Sequence, residues 1–205
     1  MWWKLLQVNA KQLLEDFTPY RSPSATIAET ATLKGKVSVG QNTVICPGAF
    51  IQGPVRIGDD CLIGNNTMIR GPLTIGNGSR IGFAAEIKGS LIGENVMIGP
   101  MCFVGDSVID DGAYLGAMVR TSNQRLDRGN VSVLYEGVMY NTGMEKLGCH
   151  IGELASLGIQ VIILPGRMIA PGSLFGPRIT IEKNLPPGRY TLKQELCFSA
   201  LPEVT

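Results

Sequence analysis

The stretch "VRIGDDCLIGNNTMIRGPLTIGNGSRIG", residues 55–82, repeats itself every six positions. Ile57, Ile63, Ile69, Ile75 and Ile81 mark the beat. Outward from here the series runs back through Ile51, Ile45, Val39 and Leu33 to Ile27, and forward to Ile87. It slips by one residue to Ile92, Ile98 and Val104, and slips again to Ile109 and Leu115. After a gap it returns at Ile151, Leu157, Ile163, Ile169, Phe175 and Ile181. Two positions before most of these stands a small or β-branched residue, as at Val37, Thr43, Ala49, Cys61, Thr67 and Ser79. One position after, glycine is common, and the chain holds 26 glycines.

Side chains of a strand alternate between faces, so positions i−2 and i point the same way. A large aliphatic residue beside a small one fills a narrow interior. Glycine after the aliphatic residue lets the backbone turn a corner, where a positive φ is expected. A helix would need apolar residues at 3.6 spacing, and this pattern lacks them. The chain therefore reads as an all-β solenoid in which each coil buries its edge on the next. Cys61, Cys102 and Cys149 fall at inward positions, which marks them as structural thiols.

Three segments are expected. Residues 1–24 form an amphipathic helix and linker, with Trp3, Leu6, Leu13, Leu14 and Phe17 as its apolar stripe. It is expected to cap the first coil, or else to bind a partner. Residues 25–183 form the solenoid, interrupted by an insertion at 121–146 that reads as a hairpin around Glu136-Gly137. Residues 184–205 break at Pro186-Pro187 and close the far end, since an open β edge invites aggregation.

Bulk properties narrow the function. A net charge of +1 leaves no electrostatic footprint for nucleic acid or an anionic membrane. No apolar run approaches the ~20 residues of a membrane span, and the N-terminus lacks the order of a signal peptide. The five cysteines are odd in number and form no C-x-x-C pair, as expected of reduced thiols in a cytoplasmic protein.

The repeat resembles the hexapeptide-repeat family of left-handed parallel β-helices, which implies three hexapeptides per triangular coil and a homotrimer. Three further segments sharpen the resemblance: "VGDSVIDDGAYLGA" (104–117), "SNQRLD" (122–127) and "YNTGMEKLGCHIGE" (140–153). They are similar to the acetyltransferase half of archaeal-type bifunctional sugar-1-phosphate nucleotidyltransferase/amino-sugar-1-phosphate N-acetyltransferases. "WKLLQVN" (3–9) resembles the helix that ends the nucleotidyltransferase half, and "LPPGRYTLKQE" (185–195) the closing strand. The resemblance implies acetyl-CoA as co-substrate, an amino-sugar phosphate or nucleotide sugar as acceptor, and no metal. It also implies the alternative of a catalytically degenerate binding or regulatory module that pairs with a separate nucleotidyltransferase chain.

The resemblance carries over residue by residue. Arg70 and Lys88 match the phosphate-binding pair. Both follow an inward aliphatic residue and stand 18 residues apart. Three hexapeptides per coil would stack them ~4.8 Å apart, the spacing of neighbouring strands. Two cations that close repel unless an anion joins them, and a shared phosphate is one such anion. The alternative is two solvated cations that splay apart. Asn123 matches a residue that orients substrate or acyl donor, or else caps a turn. Gly116 and Ala117 stand at the loop entry, where acetyl-CoA would bind, and Lys146 remains from a basic stretch.

Several positions depart from the family pattern. Pro100 occupies the place of the catalytic histidine, Phe103 that of a tyrosine and Tyr114 that of an asparagine. His150 is the chain's one histidine. A single imidazole cannot supply a three-histidine zinc site. Standing one residue before Ile151, it points outward, either as a relocated base or as an inert surface side chain.

Overall fold

The computed structural model describes residues 1–15, 17–195 and 197–199. Short strands of two or three residues build three parallel sheets that form the sides of a β-solenoid. The first face is nine-stranded, from Thr26–Ile27 to Arg189–Tyr190. The second is eight-stranded, from Thr32–Lys34 to Thr180–Ile181, and the third seven-stranded, from Val37–Val39 to Met168–Ile169. The chain visits the three faces in turn, so the six-residue beat becomes three inward columns. Ile45, Ile63, Ile81, Ile98, Leu115, Leu157 and Phe175 stack in register on the first face. All are nearly inaccessible to solvent, and the other two columns join them in one continuous core.

Both slips of the beat fall at one corner. Ile87 lies on the second face and Ile92 on the third, and the same holds for Val104 and Ile109. Each slip shortens that corner by one residue without moving a side chain off its column. The insertion leaves from this corner as well. The column also contains Thr121, buried where the beat had seemed to stop. Its Oγ1 accepts the amide of Gly105 at 2.8 Å, which satisfies the hydroxyl inside the core. The small inward residues behave alike: Thr43 donates to the Gly58 carbonyl at 2.7 Å and Ser79 to that of Gly93 at 2.9 Å.

The role expected of the glycines needs correction. Gly64, Gly82, Gly99, Gly116 and Gly158 are absent from the positive-φ residues. What excludes a side chain there is the next coil: a Cβ on Gly99 would lie 2.7 Å from the Ala117 nitrogen and 2.8 Å from the Gly116 carbonyl carbon. The left-handed conformation occurs three positions before the inward aliphatic residue, at Asn42, Asp60, Asn66, Gly78 and Asn95. Asn, Asp and Gly tolerate that region best.

The helix α1 (Trp2–Glu15) does not cap the first coil. It lies along the third face, in contact with the strands Leu73–Ile75, Leu91–Ile92 and Val108–Ile109. The reason is the outward row of that face, where Leu91 and Val108 are apolar. Trp2, Trp3 and Leu6 cover them together with Val131, Val133 and Leu147 of the insertion. Leu13 and Phe17 are buried as expected, but Leu14 faces water. Asn9 takes its place on the inner side and accepts a 2.7 Å hydrogen bond from Thr74. The insertion contains the expected antiparallel hairpin, Ser132–Tyr135 with Val138–Asn141, turning at Glu136-Gly137 with both φ positive. At the far end, Arg189–Tyr190 pairs with Leu174–Phe175, and the Tyr190 ring stacks on Phe175 at 4.7 Å. Among the described residues no helix is long and apolar enough to cross a membrane.

Two outcomes follow from this packing. Gly99→Ala should lower unfolding free energy in urea by about 2 kcal/mol, because backbone cannot retreat from the new Cβ as a flexible side chain could. Cys149 is fully buried, and desolvation pushes its thiol up from 9.0 to about 12 against the opposing effect of its hydrogen bond with Ser107. The folded state therefore resists ionisation. Its contribution is complete below pH 9 and falls by about 1.4 kcal/mol per unit as the pH rises from there towards 12. Cys149→Ala should flatten stability against pH over that window relative to the parent protein.

Candidate functional site

Arg70 and Lys88 are direct register partners on the second face, next to the corner where the chain turns to the third. Gln52 precedes them and Gly105 follows, one residue per coil. The insertion emerges one coil further on, so its first residues descend beside Gly105. This corner therefore gathers Arg70 and Lys88, as their spacing implied, and Asn123 joins them from the insertion.

The sequence reading missed the carboxylates that come with them. Arg70 Nη2 pairs with Glu86 Oε1. Lys88 Nζ pairs with Asp106 Oδ2 at 2.9 Å, and that oxygen also accepts from Asn123 Nδ2 at 2.5 Å. The cluster of Arg70, Lys88, Glu86 and Asp106 is neutral overall. The stacked cations thus need no external anion to coexist, since each has a carboxylate partner within the chain. Arg70 Nε stays buried without a partner, and about two fifths of the Arg70 side chain is exposed. Lys88 and Asp106 are more enclosed, each about one fifth exposed. One signal for Glu86 was available: positions i−1 and i+1 both face outward, so it flanks Lys88 on the same side of one strand.

The remaining candidates are distributed as follows. Phe103 is the register neighbour of Glu86, and its ring lies over Gly105, where a Cβ would meet it at 2.9 Å. Lys146 is exposed and bridges Gln124, while the Leu147 amide donates to the Asn123 carbonyl at 2.9 Å. Ser122, Gln124 and Leu126 of the insertion overhang Leu164 and Pro165 in a cavity of about 510 Å³, largely apolar. A double contact from Arg125 to Asp127 fixes the loop and holds the Asp127 carboxyl below its ordinary range. Tyr114 stands on the first face, away from the cluster within one chain. Gly116 belongs to the column of close backbone approach, and the Ala117 carbonyl accepts from Gln160. Pro100 is exposed between the first and second faces.

His150 is not at this corner. It lies in the outward row of the third face, beneath α1. Its Nε2 is 2.7 Å from Asp110 Oδ2, and the Trp2 ring stacks on it at 5.9 Å, 19° from parallel. It points outward from the core, as expected, its own chain covers all but about one fifth of the side chain, and Nδ1 is buried without a partner. Among the described residues no three His, Cys, Asp or Glu side chains converge as a metal site would require.

With the site placed, comparison with known proteins is informative. Residues 54–89 match the family model described as bacterial transferase hexapeptide (six repeats). The chain is 48% identical over 203 residues to the uncharacterized acetyltransferase YaiX of Escherichia coli O6:K15:H31, covering 95% of this chain and 88% of that protein. The chain belongs to the hexapeptide-repeat acetyltransferase family. It is also similar to two bifunctional archaeal proteins. Identity is 38% over 172 residues to the bifunctional protein GlmU of Methanococcus maripaludis, covering 84% of this chain and 42% of that one. It is 31% over 188 residues to the bifunctional sugar-1-phosphate nucleotidylyltransferase/acetyltransferase of Sulfurisphaera tokodaii, covering 92% and 46%. The chain spans less than half the length of these two relatives.

The setting of His150 gives a stability prediction. His150→Ala removes the partner of Asp110 and the surface under Trp2. Unfolding free energy should drop by roughly 2 kcal/mol, the size of a lost charged hydrogen bond plus an aromatic stack. Urea titration followed by tryptophan fluorescence measures it directly.

Proposed function

We propose that this protein transfers an acetyl group from acetyl-CoA to the amine of an amino-sugar phosphate or nucleotide sugar, at the corner marked by Arg70 and Lys88. The carrying observation is the register of those two cations beneath the insertion, in a chain of this family. On substrate arrival the phosphate takes Arg70 and Lys88 from their carboxylate partners, the guanidinium through its planar fork. Asn123 orients the amine or the acyl carbonyl. The amine lone pair attacks the thioester carbonyl, the C–N bond forms, the C–S bond breaks and the thiolate of CoA leaves. The ammonium proton passes to Glu86 or to solvent, since Pro100 has no basic atom and His150 stands on the third face, paired with Asp110. Orientation alone lowers such a barrier by as much as roughly 7–11 kcal/mol. The cavity beneath Leu126 suits the apolar arm of the donor.

The bare faces support a homotrimer. The third face is covered by the chain's own helix and hairpin, whereas the first and second leave Val44, Met97, Tyr114, Leu174, Met68 and Ile162 exposed. Packing the first face of one copy on the second of another would bury both rows and bring Tyr114, Gly116 and Ala117 towards the neighbour's cluster.

The exposed Pro100 favours a second reading, in which the same corner binds a sugar phosphate without turnover and serves a separate nucleotidyltransferase chain. Thiol release from acetyl-CoA with glucosamine 1-phosphate and galactosamine 1-phosphate separates the two. Turnover that survives His150→Ala and falls at least tenfold in Arg70→Ala is the expected result. Phosphate binding lost in Arg70→Ala, with no thiol released by the parent, would leave only the binding module.

A further inference from the structure

Asp106 only yields Lys88 in the reaction above, yet it touches two of the three residues on which substrate placement depends. One oxygen, Oδ2, holds Lys88 Nζ at 2.9 Å and Asn123 Nδ2 at 2.5 Å. Lys88 comes from the second face and Asn123 from the insertion two coils further on, with Asp106 in the coil between, so this oxygen is a direct tie between the solenoid and the inserted loop. The backbone fixes it firmly. Asp106 has a φ of 49°, its amide donates to the Lys88 carbonyl at 2.9 Å, and its carbonyl accepts from Gly148 at 2.8 Å. Its other oxygen fits against Gly89, where a Cβ would lie only 2.4 Å away. A carboxylate held on four sides cannot follow Lys88 when the ammonium turns to a ligand.

We infer that Asp106 is a positioning residue with two separable effects: it competes with the substrate's anion for Lys88, and it anchors Asn123 over the reacting amine. The inference rests on the anion site proposed for Arg70 and Lys88. The first effect arises from charge. While Asp106 is ionised, an incoming phosphate must displace a charge-assisted hydrogen bond and then sit near an uncompensated negative group. The second effect arises from an acceptor atom, and a neutral oxygen supplies it nearly as well. The two substitutions that a left-handed φ tolerates separate these effects. Asp106→Asn keeps an accepting oxygen and removes the charge. Asp106→Gly removes both without straining the backbone.

The test uses the full-length protein, calorimetric titration with inorganic phosphate, and steady-state kinetics with acetyl-CoA and glucosamine 1-phosphate. Asp106→Asn should bind phosphate about tenfold more tightly and keep most of kcat. Asp106→Gly should bind phosphate at least as tightly, while kcat drops about tenfold for want of the Asn123 anchor. Asn123→Ala should lower kcat and leave phosphate affinity as it was. A merely structural Asp106 would instead weaken binding and turnover together and lower Tm in both variants; that pattern overturns the inference. Unchanged phosphate affinity in both Asp106 variants, with affinity lost in Lys88→Ala, overturns it while leaving the anion site intact. Unchanged affinity in Lys88→Ala overturns the anion site itself. Absence of turnover in the parent removes the acyl-transfer reading, and the phosphate titrations still decide the competition for Lys88.

Discussion

The closeness of successive coils governs this molecule. Each coil presents its backbone to the next at hydrogen-bonding distance along every side, and at the first-to-second corner the approach leaves no room for a Cβ. Glycine there is a consequence of contact with the neighbouring coil, not of local turn geometry. The same contact keeps columns in register, since a one-residue slip would turn inward residues outward. The chain tolerates slips only where a corner can absorb them, and it uses the second-to-third corner each time.

That corner is consequently the variable part of an otherwise repetitive scaffold. It loses a residue after Ile87 and after Val104, then accepts the whole insertion after Thr121. Rigid strands end there in Arg70 and Lys88, and a loop arrives there with Asn123. A fixed scaffold that supplies charge and a loop that supplies adaptable contacts is the usual division of labour in binding sites. Here one carboxylate oxygen joins the two, so placement of the loop and availability of the lysine are settled by the same atom.

Much of this was legible from counting. The stacking of Arg70 on Lys88 follows from three hexads per coil, because register in a solenoid is arithmetic. The inward thiols and the hairpin at Glu136-Gly137 follow from local pattern. The partners were less accessible. Glu86 could be found from strand alternation, but Asp106 lies past a slip, where counting by eighteen from Lys88 happens to land on the right residue for the wrong reason: its true register neighbour is Gly105. The site of α1 was not legible at all. An amphipathic stripe states that a helix must cover something apolar, and only the fold reveals that Leu91 and Val108 create the need on one face.

His150 illustrates how burial alters the chemistry that a side chain can perform. On a bare solenoid it would stand outward with Asp110 beside it, and a carboxylate-oriented imidazole is a competent base. Trp2 stacks over the ring, so the pair also ties the helix to the third face. His150 and Asp110, which look catalytic in isolation, form a clasp once the N-terminal segment is laid over them. In the proposed reaction the burden of proton transfer falls on the other side of the corner, where Glu86 and Asp106 are already engaged with cations. A carboxylate bound to an arginine is a weak base until the arginine is drawn away, and the substrate's own phosphate is the group able to draw it. In the proposed reaction, substrate binding and activation of the base are therefore coupled through the Arg70–Glu86 pair, and a phosphate-free amine would meet a site in which both cations still hold their carboxylates.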